Sequence, residues 1–161
     1  MERPAKRRRP AGAETASAAN QPQTRPGHAV VQSVKVAELR SEGLYADLEA
    51  WLADKDRNVY VGRRGRIFLH SDGKRRIFHY SGSKWQNPFT VGKDGTREEV
   101  CLRFRQALLA GDLRDPEDGV SLRDKLSELK GRHLGCWCKP EACHADVLAE
   151  LANADFEKAR Q

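Results

Sequence analysis

His133-Leu134-Gly135-Cys136-Trp137-Cys138-Lys139-Pro140-Glu141-Ala142-Cys143-His144 reads as an apolar strand, a proline turn and the entrance of a helix whose inward positions are Val147, Leu148 and Leu151. A strand that passes into a helix within three residues is the building unit of a layered sheet-and-helix protein, so this stretch points to an α/β or α+β fold. The same stretch gathers three of the chain's four cysteines and one of its five histidines into nine residues. Such crowding of a scarce residue points to thiolate chemistry, metal ligation or a redox pair.

Upstream, Val30-Val31 with Val34 and Val36 forms a β-branched run suited to a first strand. Leu39, Leu44, Leu48, Trp51 and Leu52 then recur at helical spacing and predict one amphipathic helix over 37–53, weakened by Gly43, with Trp51 as a core anchor. Asn58 to Arg63 reads as a short strand. Residues 66–80 read as a β-hairpin, because Asp72-Gly73 supplies the positive φ that a two-residue turn requires. Thr96-Arg97-Glu98-Glu99 has the form of a capping box, and the helix it opens carries Val100, Cys101, Phe104, Leu108 and Leu109 along one side. Cys101 is read there as a packed core thiol. Leu122, Leu126 and Leu129 mark a further short helix that stops at Gly131.

Composition limits what such a chain can be. Its 161 residues allow one domain with a self-sufficient core plus a tail. No apolar run approaches the eighteen or so residues that cross a bilayer, and the basic start lacks the apolar stretch of a secretory leader. An intracellular protein with reduced thiols, cytoplasmic or nuclear, is expected. The formal charge of +6 is unevenly spread, with +4 of it in residues 1–28. That segment lacks aromatic residues and apolar periodicity and is expected to be disordered. Its cluster Lys6-Arg7-Arg8-Arg9-Pro10 suits a nuclear address, an electrostatic arm for phosphate backbones, or a plain solvated tail. The expected organisation is a tail over 1–28 and a single small sheet domain with flanking helices over 29–156.

Two constellations carry chemistry. Strand alternation sets Cys136 and Cys138 on one face, and Cys143 and His144 begin the following helix, whose N-terminus favours a thiolate at Cys143. The four side chains match the ligand count of a zinc site, although consecutive Cys143 and His144 diverge by about 100° on a helix, and His133 is an alternative fourth ligand. The same atoms suit a thiol active site with Cys138 or Cys143 as nucleophile and His144 or His133 as base. Packed cysteines with no chemistry are the third reading. The second constellation lies between Arg63 and Lys84, where seven basic residues face only Asp72. Joined to Ser83, Lys84, Asn87 and the helix start at Arg97, it offers donors suited to a phosphate, a nucleotide or nucleic acid. A solvated hairpin that resists edge pairing accounts for the charges equally well. His70 and His79 are read as ordinary hairpin side chains.

Val59-Tyr60-Val61-Gly62-Arg63, Ser83-Lys84-Trp85-Gln86-Asn87-Pro88-Phe89, Gly95 to Glu99 and Leu134 to Ala149 together resemble the domain of unknown function 4326 family, over about residues 59–153. The resemblance implies that both constellations belong to one domain and brings no activity with it. Relative to the family pattern this chain has an added helix before Val59, an extended hairpin after Arg63, and Gln86 in place of a small residue. The expected function is therefore recognition or modification of a phosphate-bearing ligand by Arg63, Ser83, Lys84, Asn87 and Arg97 beside the Cys136, Cys138, Cys143 and His144 site. The alternatives are a zinc-stabilised binding module and a structural interaction domain.

Overall fold

The computed structural model of the protein describes residues 27–159, so the Lys6 to Pro10 cluster and nearly all of the basic tail lie outside the described residues. Three parallel strands form the central sheet in the order β1 (Val30–Ser33), β5 (His133–Cys136), β2 (Asn58–Tyr60). The register sets Val31 and Val59 on either side of Leu134. An antiparallel ribbon of β3 (Gly65–Ser71) and β4 (Lys74–Tyr80) stands apart as a second sheet. The helices are α1 (Val36–Glu42), α2 (Leu48–Ala53), α3 (Arg97–Ala110) and α4 (His144–Ala159), with a 3₁₀ segment over Leu122–Leu129. Mixed small sheets with covering helices are the fold class that the sequence predicts. No helix among the described residues is long and apolar enough to cross a membrane.

Alternation along β5 divides the core into two layers. Leu134 and Cys136 face Phe104, Leu108, Leu126 and Leu148 from α3, the 3₁₀ segment and α4. Burying such a Phe or Leu contributes about 2–3 kcal/mol. On the opposite face Trp51 is fully buried with Val34, Leu39, Leu48 and Tyr60, and its indole N–H donates to the Gln32 side chain at 2.9 Å. Gly135 lies directly beneath that indole, because a Cβ there would stand 2.4 Å from the Trp51 ring and 2.7 Å from Val34.

The segment expected as one helix over 37–53 is two. Gly43 adopts φ 73° and closes α1, and the Asp47 carboxylate accepts the Ala50 N–H at 2.9 Å to open α2. A left-handed glycine followed by an N-cap aspartate overrides a continuous apolar period. Elsewhere local signals correspond closely to structure. Asp72 and Gly73 take φ of 53° and 72° at the ribbon turn, and the Thr96 hydroxyl accepts the Glu99 N–H at 3.2 Å.

Candidate functional site

A cavity of about 370 Å³ opens where the chain leaves β2 and β5. These are the carboxyl ends of parallel strands, the edge at which open α/β sheets bind ligands. Gly62, Arg63 and Arg64 enter it from β2, and Cys136, Trp137 and Cys138 from β5. Asn87, Phe89, Thr90 and Val91 form a third wall. The helices α3 and α4 both begin at its margin, each contributing its first residue, Arg97 and His144.

Three thiols meet inside, all of them free cysteines. Cys143 Sγ neighbours both Cys136 and Cys138 and lies 3.6 Å from His144 Nδ1. It also accepts the Ala145 N–H at 3.5 Å from the first turn of α4. Cys143 is the largest influence that lowers the Cys138 pKa to about 6, and the Arg97 guanidinium acts in the same direction. The same neighbour lowers Cys136 to about 7, while Cys143 itself is pushed up by its two sulfur neighbours and by burial. Of the two thiols whose pKa is lowered, Cys138 is the more open and the one beside Arg97. A helix N-terminus alone would lower the Cys143 pKa, but here its sulfur neighbours and burial act the other way.

His144 is buried, and burial pushes its pKa below the ordinary imidazole value. Nε2 lies 2.6 Å from the Val61 carbonyl, which can only accept, so Nε2 carries the proton and Nδ1 faces Cys143 Sγ at 3.6 Å. The Phe104 ring meets the imidazole edge-on at 5.1 Å. His133, the alternative ligand or base, sits at the opposite end of β5 and takes no part in the cavity. Among the described residues no group of three or more His, Cys, Asp or Glu side chains is arranged to hold a metal ion.

The sequence-expected ligand residues separate into three kinds. Arg97 faces the cavity from its rim, in a half-exposed pair with Glu141 at 2.8 Å. Arg63 and Asn87 line it but spend polar atoms on its shape. One Arg63 nitrogen donates to the Asn87 and Phe89 carbonyls, each at 2.9 Å, while Asn87 donates to the Val100 carbonyl at 3.2 Å and accepts from Phe89 N–H at 2.9 Å. Ser83 and Lys84 lie elsewhere. The Ser83 hydroxyl accepts the Trp85 N–H at 3.0 Å, and Lys84 pairs with Asp115 at 3.1 Å and Glu128 at 2.7 Å beside a different depression. Asp115, only 3% exposed, binds Lys125 as well, so Lys84 belongs to an ion cluster around a buried carboxylate and lies away from the cavity.

Sequence reasoning missed several walls. Cys101 is not sealed in the core but half-buried against the cavity, close enough to Cys138 for each to feel the other's charge. Tyr60, Tyr80, Phe89 and Trp137 supply aromatic surface. Tyr80 and Trp137 have ring centroids 6.1 Å apart, and the Trp137 indole donates to the Tyr60 hydroxyl at 3.1 Å. Strand alternation would put Trp137 opposite the two flanking cysteines, but β5 ends at Cys136 and all three residues line the one cavity.

A parallel α/β sheet carrying a cysteine-rich block at its carboxyl edge is the class this site defines. The chain belongs to the family described as Domain of unknown function (DUF4326), whose model matches residues 48–154. It is similar to the "Uncharacterized 12.4 kDa protein in nrdA-td intergenic region" of Enterobacteria phage T4, with 33% identity over 98 residues covering 60% of this chain and 85% of the phage protein. It is also similar to "Uncharacterized protein R718" of Acanthamoeba polyphaga mimivirus, 34% identical over 102 residues, 58% of this chain and 65% of the viral protein. No solved structure gives a significant match.

Proposed function

We propose that the cavity binds a phosphate-bearing small molecule of the nucleotide class and sets it beside the Cys138 thiolate. The observation that carries this reading is the convergence of two helix N-termini with Arg64 and Arg97 on one cavity at the carboxyl edge of a parallel sheet, where Arg63 braces the loop wall. Backbone N–H groups at a helix start and the helix dipole favour an anion, and a planar guanidinium matches a phosphate with paired hydrogen bonds. Arg97 is held by an exposed carboxylate, Glu141, which a phosphate can replace at little cost because rim ion pairs contribute at most about 1 kcal/mol. The Trp137, Tyr80 and Phe89 rings supply flat apolar walls of the kind that hold a base. Cys138 is the group positioned for chemistry on such a ligand, with Cys143 and neutral His144 behind it as positioning residues.

Calorimetric titration of the full chain with nucleoside 5′-monophosphates, and with inorganic phosphate as comparison, tests the reading. Nucleotides are expected to bind more tightly than phosphate, and Arg97→Gln to weaken binding about tenfold, the equivalent of one lost charge-assisted contact. Absence of binding at millimolar nucleotide, or indifference to Arg97→Gln, contradicts it.

A second reading places zinc among Cys136, Cys138 and Cys143, and one observation favours it. The imidazole beside Cys143 donates its far N–H to a carbonyl, as metal-binding histidines do, although the three thiols are not arranged around a metal position here. About one equivalent of zinc in reduced protein, with a melting temperature lowered by chelation, selects this reading.

A further inference from the structure

The β3–β4 ribbon has two unlike faces. Its inner face turns Ile67, Phe78 and Tyr80 onto the layer around Trp51, and its one inward arginine, Arg76, is paired with Glu49 at 2.7 Å. Its outer face carries Arg66 opposite His79, Phe68 opposite Ile77, and His70 opposite Arg75. Phe68 and Ile77 are 53% and 49% exposed, and the Arg75 guanidinium lies 4.1 Å from the centre of the Phe68 ring. Among the described residues neither Arg66 nor Arg75 has a carboxylate partner, and the one acid in the ribbon is Asp72 at the turn. Protecting a sheet edge accounts for the charges, but it does not account for an exposed aromatic and aliphatic pair at the middle of the face.

The ribbon is also continuous with the cavity. Arg64, one residue before β3, and Tyr80, the last residue of β4, both line it. A basic face with an aromatic ring at its centre, leading into an anion-seeking cavity, is complementary to an unpaired polynucleotide. Phosphates meet guanidinium groups, base faces stack on an exposed ring, and the sequence of the strand is immaterial.

We infer that the outer face of the β3–β4 ribbon is a binding surface for single-stranded nucleic acid, which delivers one nucleotide to the cavity. The delivery rests on the cavity being a nucleotide site, as proposed above; the affinity of the ribbon does not. Duplex is a poorer occupant, because paired bases offer no free face to Phe68 and a cavity of about 370 Å³ suits a single nucleotide.

Fluorescence anisotropy of a labelled short oligothymidylate tests the inference on the full chain carrying Lys6→Gln, Arg7→Gln, Arg8→Gln and Arg9→Gln, which silences the tail cluster. Adding Arg66→Gln and Arg75→Gln together is expected to weaken binding about tenfold and to reduce the slope of log affinity against log salt by about 1.4, two single-strand phosphate contacts. Phe68→Ala is expected to weaken binding by about fivefold or more while leaving the slope unchanged. These side chains are exposed, so an unchanged melting temperature verifies that each variant is folded. Equal affinity of the variants and their parent overturns the inference. So does tighter binding of duplex than of single strand, or binding of phosphatidylserine vesicles without binding of the oligonucleotide. Titration with nucleoside monophosphate separates the two proposals. Ribbon-dependent oligonucleotide binding without monophosphate binding removes the cavity reading and keeps the ribbon, whereas monophosphate binding that survives while the oligonucleotide is ignored removes the ribbon alone.

Discussion

Cys138 stands at a strand end and Cys143 at a helix entrance, and their surroundings pull the two thiols apart. Cys143 accepts from Ala145 N–H and has its pKa raised by burial among sulfurs, while Cys143 and Arg97 lower the pKa of Cys138, which opens to the cavity. A thiol whose pKa is lowered is anionic above that value and loses its anion as pH falls through it. Alkylation of Cys138 by iodoacetamide, followed by peptide mass spectrometry, is therefore expected to rise with a midpoint near pH 6. In Cys143→Ala the midpoint should move toward the ordinary thiol value of about 8.5, and the rate at mildly acidic pH should fall about tenfold once the weaker nucleophilicity of a low-pKa thiolate is allowed for. Cys143→Ser, which keeps a donor, should restore much of the shift. An unchanged midpoint in Cys143→Ala contradicts the influence of Cys143 on Cys138. The crowding of these cysteines was plain in the sequence, but the lowered pKa of Cys138 was not, because it depends on the placing of Cys143 and on Arg97, forty-one residues away in the chain and near in space.

The elements hold these atoms in place through packing beneath β5. Gly135 has no side chain because Trp51 and Val34 occupy the position a Cβ would take, at 2.4 and 2.7 Å. Gly135→Ala must push the indole from its bond to Gln32 or shift the strand that ends in Cys136. Destabilisation of about 1–3 kcal/mol is expected, the usual cost of overpacking, measured as a lower denaturation midpoint at unchanged slope. Full stability of Gly135→Ala would show that β5 is not seated on Trp51. Much at this scale was legible. The Asp72-Gly73 turn and the Thr96 cap depend on local backbone chemistry and emerged where their residues predict. The break between α1 and α2 was hidden by an apolar period that continues across it. Ser83 and Lys84 looked like ligand donors because a loop rich in polar groups looks the same whether those groups face a cavity or satisfy one another, and here Asp115 and Glu128 claim the lysine. Cys101 was hidden by its place on an otherwise apolar helix stripe, which runs from the core to the cavity rim.

Across the whole molecule, the parallel order β1-β5-β2 turns two strand ends toward the same edge, and α3 and α4 begin at that edge. Residues as far apart as Gly62, Asn87, Arg97 and Cys143 thereby share one cavity, a juxtaposition that motif order implied and only the three-dimensional arrangement specifies. The ribbon extends from the same place and adds a basic, partly aromatic approach. The central claim is that an anionic ligand and the Cys138 thiolate occupy this one space. It is tested most directly by the rate at which Cys138 is alkylated in the full chain with and without saturating nucleoside monophosphate. Bound nucleotide is expected to slow the reaction about tenfold or more at Cys138. A Cys138 alkylation rate unaffected by a nucleotide that the protein demonstrably binds would contradict it.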